Sequence, residues 1–567
     1  MREFEKGVLG VQLCGSDIIV KTLIEQGCDT VFGYPGGQIL NVYDSLYKYQ
    51  DEINHVLTAH EQGATHAADG YARVTGKVGV VISTSGPGAT NLVTGIATAY
   101  LDSIPMVAIC GNVPTTQIGT DSFQEIDITG VTLPITKHNY FVGSVEDLAD
   151  TIREAFKLAK SGRPGPVLID VPKDVQIAQC EYEEKATVQK DEPFAAKDVR
   201  IIEAASIINF AKRPFIYFGG GVITSEAQVE MLELSEKIDA PIGCSLMGLS
   251  GIPTDHPRFL GMQGMHGHFA SSMSMHNADV ILSLGVRFND RVTGNRSKFA
   301  TGAKIVHIDV DGSELNKTVN SVCGLRGDVK LTLQKLLPLI NEDKKEEWMK
   351  KVNAFRVEEE TYLDNREGLT PRRVILTLNK HLGENTAVCT DVGQHQMWSA
   401  QSLNFKTSRR FASSGGLGTM GYGFGAAIGT AYGTGERSVL ITGDGSFGMN
   451  LNELATAVRY NIPVVVLIMN NGVLGMVRQW QTLFYDKHYS NSVLQRKTDF
   501  AAFARSFGAD GEAVTTPQDL DAALARAFKT EGPYIIDCKI DKDEFVLPML
   551  PPGGSMDDII TKLEVEV

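Results

Sequence analysis

The sequence predicts an α/β protein built from three doubly wound parallel-sheet domains, and three observations support this prediction. The chain has 567 residues, which is too many for one hydrophobic core. Short apolar runs that end in glycine and lead into helical patterns recur along it, as in parallel sheets. Charged, irregular stretches at 181–197 and 342–365 divide these repeats into three segments. We therefore expect domains at 1–180, 195–345 and 370–567.

Composition and charge exclude several classes of function. Hydrophobic residues make up 43% and charged residues 21% of the chain, as in an ordinary globular protein. A net charge of −15 argues against nucleic acid or an anionic membrane surface as a partner. Eight cysteines without CxxC spacing indicate reduced thiols instead of a disulfide framework or a zinc site. Residues 1–6 lack the apolar core of a signal peptide and no apolar run approaches a membrane span, so we expect a cytoplasmic protein.

The first segment alternates strand and helix patterns. Glu61 stands where a predicted strand ends and a small-residue helix begins. A first-turn acid that complements the helix dipole is one interpretation of Glu61, and a functional carboxyl is the other. The glycine loop at 84–91 lacks the lysine of a P-loop, so we interpret it as the tight wall of a site. Strands are predicted at 31–34, 53–59, 78–83 and 167–171.

The middle segment has the same pattern without a recognisable nucleotide motif. Its strands are predicted at 215–218, 280–284 and 304–308, and each is followed by a turn. This middle segment contains no GxGxxG motif, so a dinucleotide site there does not follow from motif alone. A sheet without a ligand is the alternative that the residues leave open.

The third segment contains the strongest motif of the chain. Gly443-Asp444-Gly445-Ser446 follows the apolar run 438–442, and Asn471 follows the next predicted strand at 463–469, after a helix predicted at 450–460. Such a crossover returns Asn471 beside Asp444 at the carboxyl edge of the sheet, where ligands bind. Asp444 supplies a hard oxygen for Mg²⁺, and the glycines let backbone amides approach a diphosphate. A plain Asp-Gly turn is the alternative for this motif taken alone.

These motifs resemble those of thiamine-diphosphate (ThDP) enzymes. Tyr34-Pro35-Gly36-Gly37 and the His60-Glu61 pair follow one another as in the pyrimidine-binding domain of that superfamily. The segments 261–267 and 285–294 resemble the FAD-binding segments of the acetohydroxyacid synthase (acetolactate synthase) catalytic large subunits, and the resemblance covers almost the whole chain. It implies pyrimidine-binding, central FAD-binding and diphosphate-binding domains in that order.

The resemblance implies three cofactors, namely ThDP, Mg²⁺ and FAD. Mg²⁺ would be held by Asp444, Asn471 and the backbone carbonyl of Val473. Glu61 would bond the pyrimidine nitrogen of ThDP, a role that suits a carboxyl whose proton is retained by burial. The implied ThDP-binding residues are Tyr34, Pro35, Gly36, Glu61, Gly393, Gln394, His395, Gly418, Met420, Gly443, Asp444, Gly445, Ser446, Asn471, Val473, Gly475 and Met476. The implied FAD-binding residues are Arg163, Gly219, Gly220, Leu246, Met247, Gly264, Met265, His266, Arg287, Asp290, Asp309 and Asp328.

Some of these positions have simpler interpretations or depart from the family pattern. Met420 would be the apolar prop that bends the cofactor, although core filling also explains a methionine there. Asn289 replaces the acid usual before Asp290, and Cys244-Ser245 replaces a threonine pair. These departures concern the affinity for FAD and its contacts.

The implied catalytic residues are Glu61, Gln124, Lys173, Arg291 and Trp480. The segment 111–127 contains Gln124 but none of the paired histidines that decarboxylases of the superfamily carry there. Their absence favours carbon–carbon bond formation over release of an aldehyde. Trp480 would shape the pocket for the second substrate, with an ordinary buried tryptophan as the alternative, and Arg291 would grip a 2-oxo acid carboxylate. The apolar tail at 544–554 is expected to order over the site.

The resemblance implies a reaction in branched-chain amino-acid biosynthesis. Pyruvate would lose CO₂ on ThDP, and its hydroxyethyl group would be ligated to a second 2-oxo acid, either pyruvate or 2-oxobutanoate. The products would be 2-acetolactate or 2-aceto-2-hydroxybutanoate. The expected assembly is a homodimer or homotetramer, with a small regulatory subunit as a further partner. The alternatives are a ThDP- and FAD-dependent pyruvate oxidase, a 2-oxo acid decarboxylase, and a non-catalytic scaffold that keeps the fold.

Overall fold

A computed structural model describes residues 11–562 of the chain. Within these residues lie three six-stranded sheets and one two-stranded ribbon. The predicted α/β class with three parallel sheets is therefore confirmed. The expected domain bounds remain predictions. Their outer ends at 1–10 and 563–567, and the segment 1–6 expected to lack a leader, lie outside the described residues.

The first sheet is parallel throughout, with strand order β3-β2-β4-β5-β7-β6, and β1 pairs with β8 as a separate antiparallel ribbon. The strands are β1 Val11–Cys14, β2 Thr30–Gly33, β3 Asn54–Leu57, β4 Gly79–Ser83, β5 Met106–Asn112, β6 His138–Phe141, β7 Pro166–Pro172 and β8 Gln179–Tyr182. The helices are α1 Gly15–Glu25, α2 Leu40–Lys48, α3 Glu61–Thr75, α4 Pro87–Asn91, α5 Val93–Asp102, α6 Ile128–Thr132, α7 Leu148–Lys160 and α8 Lys173–Ile177.

The middle sheet is also parallel, in the order β11-β10-β9-β12-β13-β14. Its strands are β9 Pro214–Phe218, β10 Ile242–Cys244, β11 Phe259–Met262, β12 Val280–Leu284, β13 Lys304–Asp309 and β14 Cys323–Arg326. The helices are α9 Asp198–Asn209, α10 Gly220–Thr224, α11 Gln228–Lys237, α12 Phe269–Asn277, α13 Asp290–Thr293, α14 Val329–Leu336 and α15 Glu346–Glu360.

The third sheet is parallel in the order β16-β15-β17-β18-β20-β19. Its strands are β15 Ala387–Thr390, β16 Phe411–Ala412, β17 Ser438–Gly443, β18 Val464–Asn470, β19 Asp510–Val514 and β20 Tyr534–Lys539. The helices are α16 Pro371–Asn379, α17 Gln394–Ser402, α18 Tyr422–Thr434, α19 Asp444–Asn450, α20 Leu454–Arg459, α21 Gly475–Phe484, α22 Phe500–Phe507 and α23 Pro517–Ala527.

Two features differ from the sequence prediction. The helix predicted at 450–460 begins instead at Asp444 and is interrupted by a 3₁₀ turn at Leu451–Glu453. The charged stretch at 342–365 contains α15, which buries Trp348, Val352 and Phe355. These three positions recur at helical spacing, so a narrow apolar face holds an otherwise charged helix against the middle domain.

The first and third domains are joined by close packing of α3 against α18. A Cβ atom added to Gly429 would lie 1.8 Å from the Ala67 carbonyl oxygen, and one added to Gly70 would lie 2.3 Å from the Ala426 carbonyl oxygen. The two helix backbones therefore touch, which is feasible only where side chains are absent or small. One hydrophobic core, which includes Phe32 and Phe424, continues across both domains.

No helix in residues 11–562 combines the length and the apolar character needed to cross a membrane.

We predict that Gly429→Ala destabilises the junction between α3 and α18. The added methyl group has no room beside the Ala67 carbonyl, and overpacking of this kind costs about 1–3 kcal/mol. Urea unfolding followed by far-ultraviolet circular dichroism should show a lower midpoint. Gly302→Ala is the control, because nothing lies within 4 Å of a Cβ at that position. Equal midpoints for both variants would contradict the packing argument.

Candidate active site

Asp444 and Asn471 lie at the carboxyl ends of two neighbouring strands. In the pairing of β17 with β18, Gly443 is opposite Met469, so Asp444 follows one strand end and Asn471 the other. Gly472 has φ of +67°, a left-handed conformation that lets the chain turn directly after Asn471. The Asn471 Oδ1 accepts the Val473 N–H at 3.2 Å. This local turn orients the amide and carries Val473 next to it.

The environment of Asp444 fits a bound divalent cation. Its side chain is buried, and burial raises the pKa of Asp444 to about 6, partly offset by backbone N–H groups. The nearby Asp537 carboxylate raises it further, whereas the Arg496 guanidinium opposes the shift. A buried carboxylate in such a setting is stabilised in its charged form by a cation, and Mg²⁺ binds to one or two carboxyl or amide oxygens together with phosphate oxygens.

His395 is a candidate contact for a phosphate group. It follows β15, is buried, and its Nε2 has no hydrogen-bond partner among the described residues. Burial lowers the pKa of His395 to about 3, so the imidazole is neutral. An orphaned buried nitrogen of this kind fits a group that the protein itself does not supply.

Gln394, which precedes His395, is engaged mainly by protein groups. Its amide nitrogen donates to Gln479 Oε1 at 2.9 Å and to the Glu544 carbonyl at 2.7 Å. Its Oε1 accepts from Asn471 Nδ2 at 3.4 Å. Gln394 therefore joins the strand-end turn to the C-terminal tail in this structure.

The loop at 413–421 is fixed by side chains that the sequence prediction did not select. Asp391 Oδ1 accepts the Gly421 N–H at 2.7 Å, and Asn450 Nδ2 donates to the Gly421 carbonyl at 2.5 Å. Gly421 has φ of +90°. A Cβ atom added to Gly445 would lie 3.9 Å from the Met420 methyl group. Met420 therefore borders the turn that carries Asp444. The loop and the Asp444 turn thus share one edge of the sheet.

Glu61 is the first residue of α3, and its carboxylate is held by Asn91. Asn91 Nδ2 donates to Glu61 Oε2 at 3.0 Å. A Cβ atom added to Gly88 would lie 3.3 Å from Glu61 Oε1, so a side chain at position 88 would crowd the carboxylate. Glu61 is only half buried in this single chain. Asn91 lies in the glycine loop that sequence analysis interpreted as a site wall, but its contact with Glu61 was not predicted.

The first-domain residues predicted for ThDP binding and catalysis lie at the same sheet edge as Glu61. Tyr34, Pro35 and Gly36 follow β2 and border the β4 loop, since a Cβ on Gly36 would lie 2.5 Å from Thr84. Gln124 follows β5, has φ of +64° and contacts Gly86. Lys173 follows β7 and donates to the Gly37 carbonyl at 3.2 Å.

Glu453 is a buried acid that the sequence prediction missed. It is fully inaccessible to solvent, and its Oε2 accepts from the Ala59 N–H at 3.1 Å and from Thr456 Oγ1 at 2.7 Å. Burial raises the pKa of Glu453 to about 7, and the Glu61 carboxylate adds to this rise. Gly63 makes room for it, because a Cβ there would lie 2.1 Å from Glu453 Oε1. The third domain thereby contributes an acid beside the start of α3.

Arg291 and Trp480 are brought together from different domains. The Arg291 guanidinium carbon lies 5.9 Å from the centre of the Trp480 ring, within cation–π range. The Arg291 side chain is 60% exposed. Its charge is therefore accessible to an anionic ligand.

The C-terminal tail packs onto both the third and the middle domains. Val546, Met549 and Leu550 are buried. Gln479 accepts the Val546 N–H at 2.9 Å, and the Leu550 N–H donates to the Met265 carbonyl at 2.7 Å. The tail is therefore ordered beside the loops that carry the candidate site, as expected from its apolar sequence.

A cavity of about 420 Å³ lies at the carboxyl edge of the middle sheet. Its size is within the range of cofactor pockets. It is lined by several basic side chains, which suit phosphates, and by acids that suit ribose hydroxyl groups. Burial raises the pKa of the lining Asp309 to about 6. The predicted FAD residues that line this cavity are Arg163, Gly219, Gly220, Met247, Arg287, Asp309 and Asp328.

Five residues predicted for FAD do not line this cavity. Asp290 has a side chain that is 73% exposed, while its neighbour Asn289 faces the cavity. Gly264 borders a separate small void of about 30 Å³ beneath the C-terminal tail. The remaining three are Leu246, Met265 and His266.

Glu453 leads to a prediction about stability and pH. Folding raises the pKa of Glu453 from the usual 4.5 to about 7. Between pH 4.5 and pH 7, the folded chain therefore keeps a proton on Glu453 that the unfolded chain has lost. Stability contributed by this group is therefore present below pH 4.5 and falls as the pH rises towards 7, by about 1 kcal/mol per pH unit. Glu453→Gln should make the fall of the urea midpoint between pH 5 and 8 less steep by this contribution, and the remaining slope would come from other buried acids such as Asp170, whose pKa is also raised to about 7.

The matched control is Glu347→Gln, at an exposed position. It should keep the wild-type dependence on pH. An unchanged slope in Glu453→Gln would show that the buried carboxyl does not titrate in this range.

Comparison with known proteins gives matches along nearly the whole chain. Three family models match, described as the N-terminal TPP binding domain, the central domain and the C-terminal TPP binding domain of thiamine pyrophosphate enzymes, at residues 14–131, 201–336 and 391–538. The "Probable acetolactate synthase large subunit" of Methanocaldococcus jannaschii is 44% identical over 97% of this chain and 96% of its own. The "Acetolactate synthase isozyme 3 large subunit" of Escherichia coli is 42% identical, and the match covers 96% of this chain and 98% of the relative. The "Acetolactate synthase large subunit" of Corynebacterium glutamicum is 43% identical, and the match covers 97% of this chain and 90% of the relative.

Proposed function

The chain belongs to the thiamine pyrophosphate enzymes and, within them, to the acetolactate synthase large subunits, and from this membership we propose how its residues carry out the reaction. It is a ThDP-dependent acetolactate synthase of branched-chain amino-acid biosynthesis. The two-carbon unit left when pyruvate loses CO₂ is joined to the carbonyl carbon of a second 2-oxo acid. Pyruvate as acceptor gives 2-acetolactate for valine, and 2-oxobutanoate gives 2-aceto-2-hydroxybutanoate for isoleucine. Bound ThDP supplies the electron sink that the decarboxylation requires.

The observation that carries the proposal is the juxtaposition of Asp444 and Asn471 at adjacent strand ends. The Asp444 carboxylate, the Asn471 amide oxygen and the Val473 carbonyl would hold Mg²⁺. The orphaned Nε2 of His395 would contact the diphosphate, together with the backbone amides of Gly445 and Ser446. One carboxylate and neutral donors suit a Mg²⁺–diphosphate pair, whose phosphates complete the metal's coordination.

Glu61 would hydrogen-bond to the pyrimidine ring of bound ThDP and so help to activate the cofactor. Asn91 Nδ2 donates to Oε2, which leaves Oε1 as the oxygen that would face the pyrimidine nitrogen. The bond to Asn91 fixes the rotamer of the carboxyl group and so keeps Oε1 aimed in one direction. Around Glu61, the loops that carry Tyr34, Gln124 and Lys173 would wall in the reacting carbon and exclude water.

Arg291 and Trp480 select the acceptor. The Arg291 guanidinium would bind the carboxylate of the second 2-oxo acid through two parallel hydrogen bonds. The Trp480 ring, which packs edge-on against Phe484 at 5.6 Å, would contact its alkyl group. The C-terminal tail closes this region, since Gln479 anchors it one residue before Trp480.

We assign the cavity of the middle domain to FAD. Arg163, Arg287 and other basic side chains would bind its phosphates, and the acids at Asp309 and Asp328 would bind ribose hydroxyl groups. The isoalloxazine end of FAD would have to extend beyond this cavity to reach the other predicted contacts, which are Leu246, Gly264, Met265, His266 and Asp290. FAD is proposed as a structural element, because the reaction has no net redox change.

The smallest active unit is proposed to be a homodimer, which two further copies would extend to a homotetramer. Glu61 and Asp444 lie on different sheets, and no hydrogen bond within residues 11–562 joins their side chains. A second copy would place its Asp444 edge against the Glu61 edge of the first. Because the relatives are named large subunits, a small regulatory subunit is a further proposed partner. We place the assembly in the cytoplasm.

The reaction is tested by incubating the full-length chain with pyruvate, ThDP, Mg²⁺ and FAD and by identifying the products with NMR. We expect one 2-acetolactate and one CO₂ for every two pyruvates, and 2-aceto-2-hydroxybutanoate when 2-oxobutanoate is added. Acetaldehyde as the main product would instead identify a decarboxylase. Acetate with hydrogen peroxide and flavin bleaching would identify an oxidase. Glu61→Gln should lower the rate by about 10²–10⁴-fold, as expected for loss of a proton-transfer group.

A further inference from the structure

Asp102, the last residue of α5, holds the glycine loop of the third domain. Its Oδ2 accepts the Gly415 N–H at 3.0 Å and its Oδ1 accepts the Gly416 N–H at 2.7 Å. Gly416 has no room for a side chain, since a Cβ there would lie 2.9 Å from Asp102 Oδ1. Both carboxylate oxygens are thus used to fix two consecutive amides of the loop at 413–421, which carries Met420.

A buried ion network fixes Asp102 itself. Arg73 Nη2 donates to Asp102 Oδ2 at 2.8 Å, and Arg73 Nε donates to Asp69 Oδ1 at 2.6 Å. The Tyr422 hydroxyl donates to the same Asp69 oxygen at 2.6 Å. The side chains of Arg73, Asp69 and Asp102 are at most 5% exposed. Two carboxylates share one guanidinium, so the amides of Gly415 and Gly416 are needed to stabilise the remaining negative charge.

The same residues form a wall of the 420 Å³ cavity. Arg73, Asp102, Met247 and Arg287 all line it. Arg287 donates to the carbonyl of Leu101, the residue before Asp102. Met247 Sδ lies 2.6 Å from the place of a Cβ on Gly415. The cavity and the glycine loop are therefore separated by one layer of side chains, and Asp102 belongs to both.

We propose that Asp102 is a positioning residue that couples occupancy of this cavity to the order of the glycine loop, so that FAD and ThDP strengthen each other's binding. The inference rests on the proposed assignment of the cavity to FAD. A ligand that binds Arg73 or Arg287, or packs on Met247, restrains the wall and with it Asp102. A loop ordered in advance loses less conformational entropy when ThDP binds. The coupling must act equally in both directions.

Calorimetric titration of the full-length chain, freed of cofactors by dialysis, tests this coupling. The Kd for ThDP in the presence of Mg²⁺ is measured with and without saturating FAD, and the Kd for FAD with and without ThDP and Mg²⁺. In the wild type we expect each ligand to lower the Kd of the other by the same factor, about 5–150-fold. In Asp102→Asn the coupling factor should fall towards 1. The asparagine amide has only one acceptor oxygen for the two loop amides, and it has no negative charge to pair with Arg73.

Asp309→Asn is the matched control, since Asp309 lines the same cavity but bonds to the Asp311 N–H instead of the glycine loop. It should weaken FAD binding and keep the wild-type factor. Hydrogen exchange of residues 413–421 in the wild type, with and without FAD, gives a measurement that does not depend on folding of a variant. FAD should increase the protection of the Gly415 and Gly416 amides.

The outcomes separate this inference from the proposed function. FAD binding with a factor of 1 in the wild type, or an unchanged factor in folded Asp102→Asn, would overturn the coupling alone. If Asp102→Asn does not fold, equal protection of the loop with and without FAD would overturn it. Failure of FAD to bind at all would overturn both the coupling and the assignment of the cavity, while the pyruvate assay would still test the reaction.

Discussion

The contact between α3 and α18 is the constraint that fixes where the Glu61 edge and the Asp444 edge lie within one chain. The approach of Gly429 to the Ala67 carbonyl leaves no space for another side chain, so this separation of the two helices requires glycine at position 429. α3 begins at Glu61, and α18 begins directly after the loop that carries Met420. Fixing the two helices therefore fixes the start of each, and with it the edges of two sheets. Small residues in this contact serve the geometry of the site as much as stability.

The net negative charge of the chain limits how the protein can bind an anionic cofactor. With a net charge of −15, the protein has no general attraction for an anionic cofactor and must bind one through local groups. At the third sheet the proposed groups are a neutral imidazole, backbone amides and one buried carboxylate suited to a metal. At the middle sheet the proposed groups are arginines. The ion network of Arg73, Asp69 and Asp102 lies between the two sites, and the Gly415 and Gly416 amides stabilise its excess negative charge.

The local part of this architecture was predictable from sequence. Strands β17 and β18 were predicted because a short apolar run that ends in glycine or asparagine has few other structures available. The position of Asp444 and Asn471 at neighbouring strand ends followed from the length of one crossover. The start of α19 was missed, because the glycines around Asp444 resemble a loop and nothing local shows that Asp444 itself begins the helix. α15 had a signal in the spacing of Trp348, Val352 and Phe355, which the surrounding charges concealed.

Contacts between distant segments were not predictable. Asp102 meets Gly415 and Gly416 more than 300 positions along the chain, and Glu453 meets Ala59 across a similar separation. Each residue has an ordinary local explanation, as a helix-end acid or a helix-start acid, so no pattern marks it. The five predicted FAD residues that do not line the cavity remain predictions, because a motif identifies a segment but does not say which side chains face a ligand.

The proposed role of Asp444 is that of a buried carboxylate that requires a cation and a diphosphate beside it. Calorimetric titration of the full-length chain with ThDP, in the presence and absence of Mg²⁺, tests this role when wild type and Asp444→Asn are compared. We expect saturable binding by the wild type only with Mg²⁺, and at least tenfold weaker binding by the variant, as when one charged partner is removed from a buried contact. Equal affinities of both proteins for ThDP, or binding by the wild type that does not depend on Mg²⁺, would contradict it.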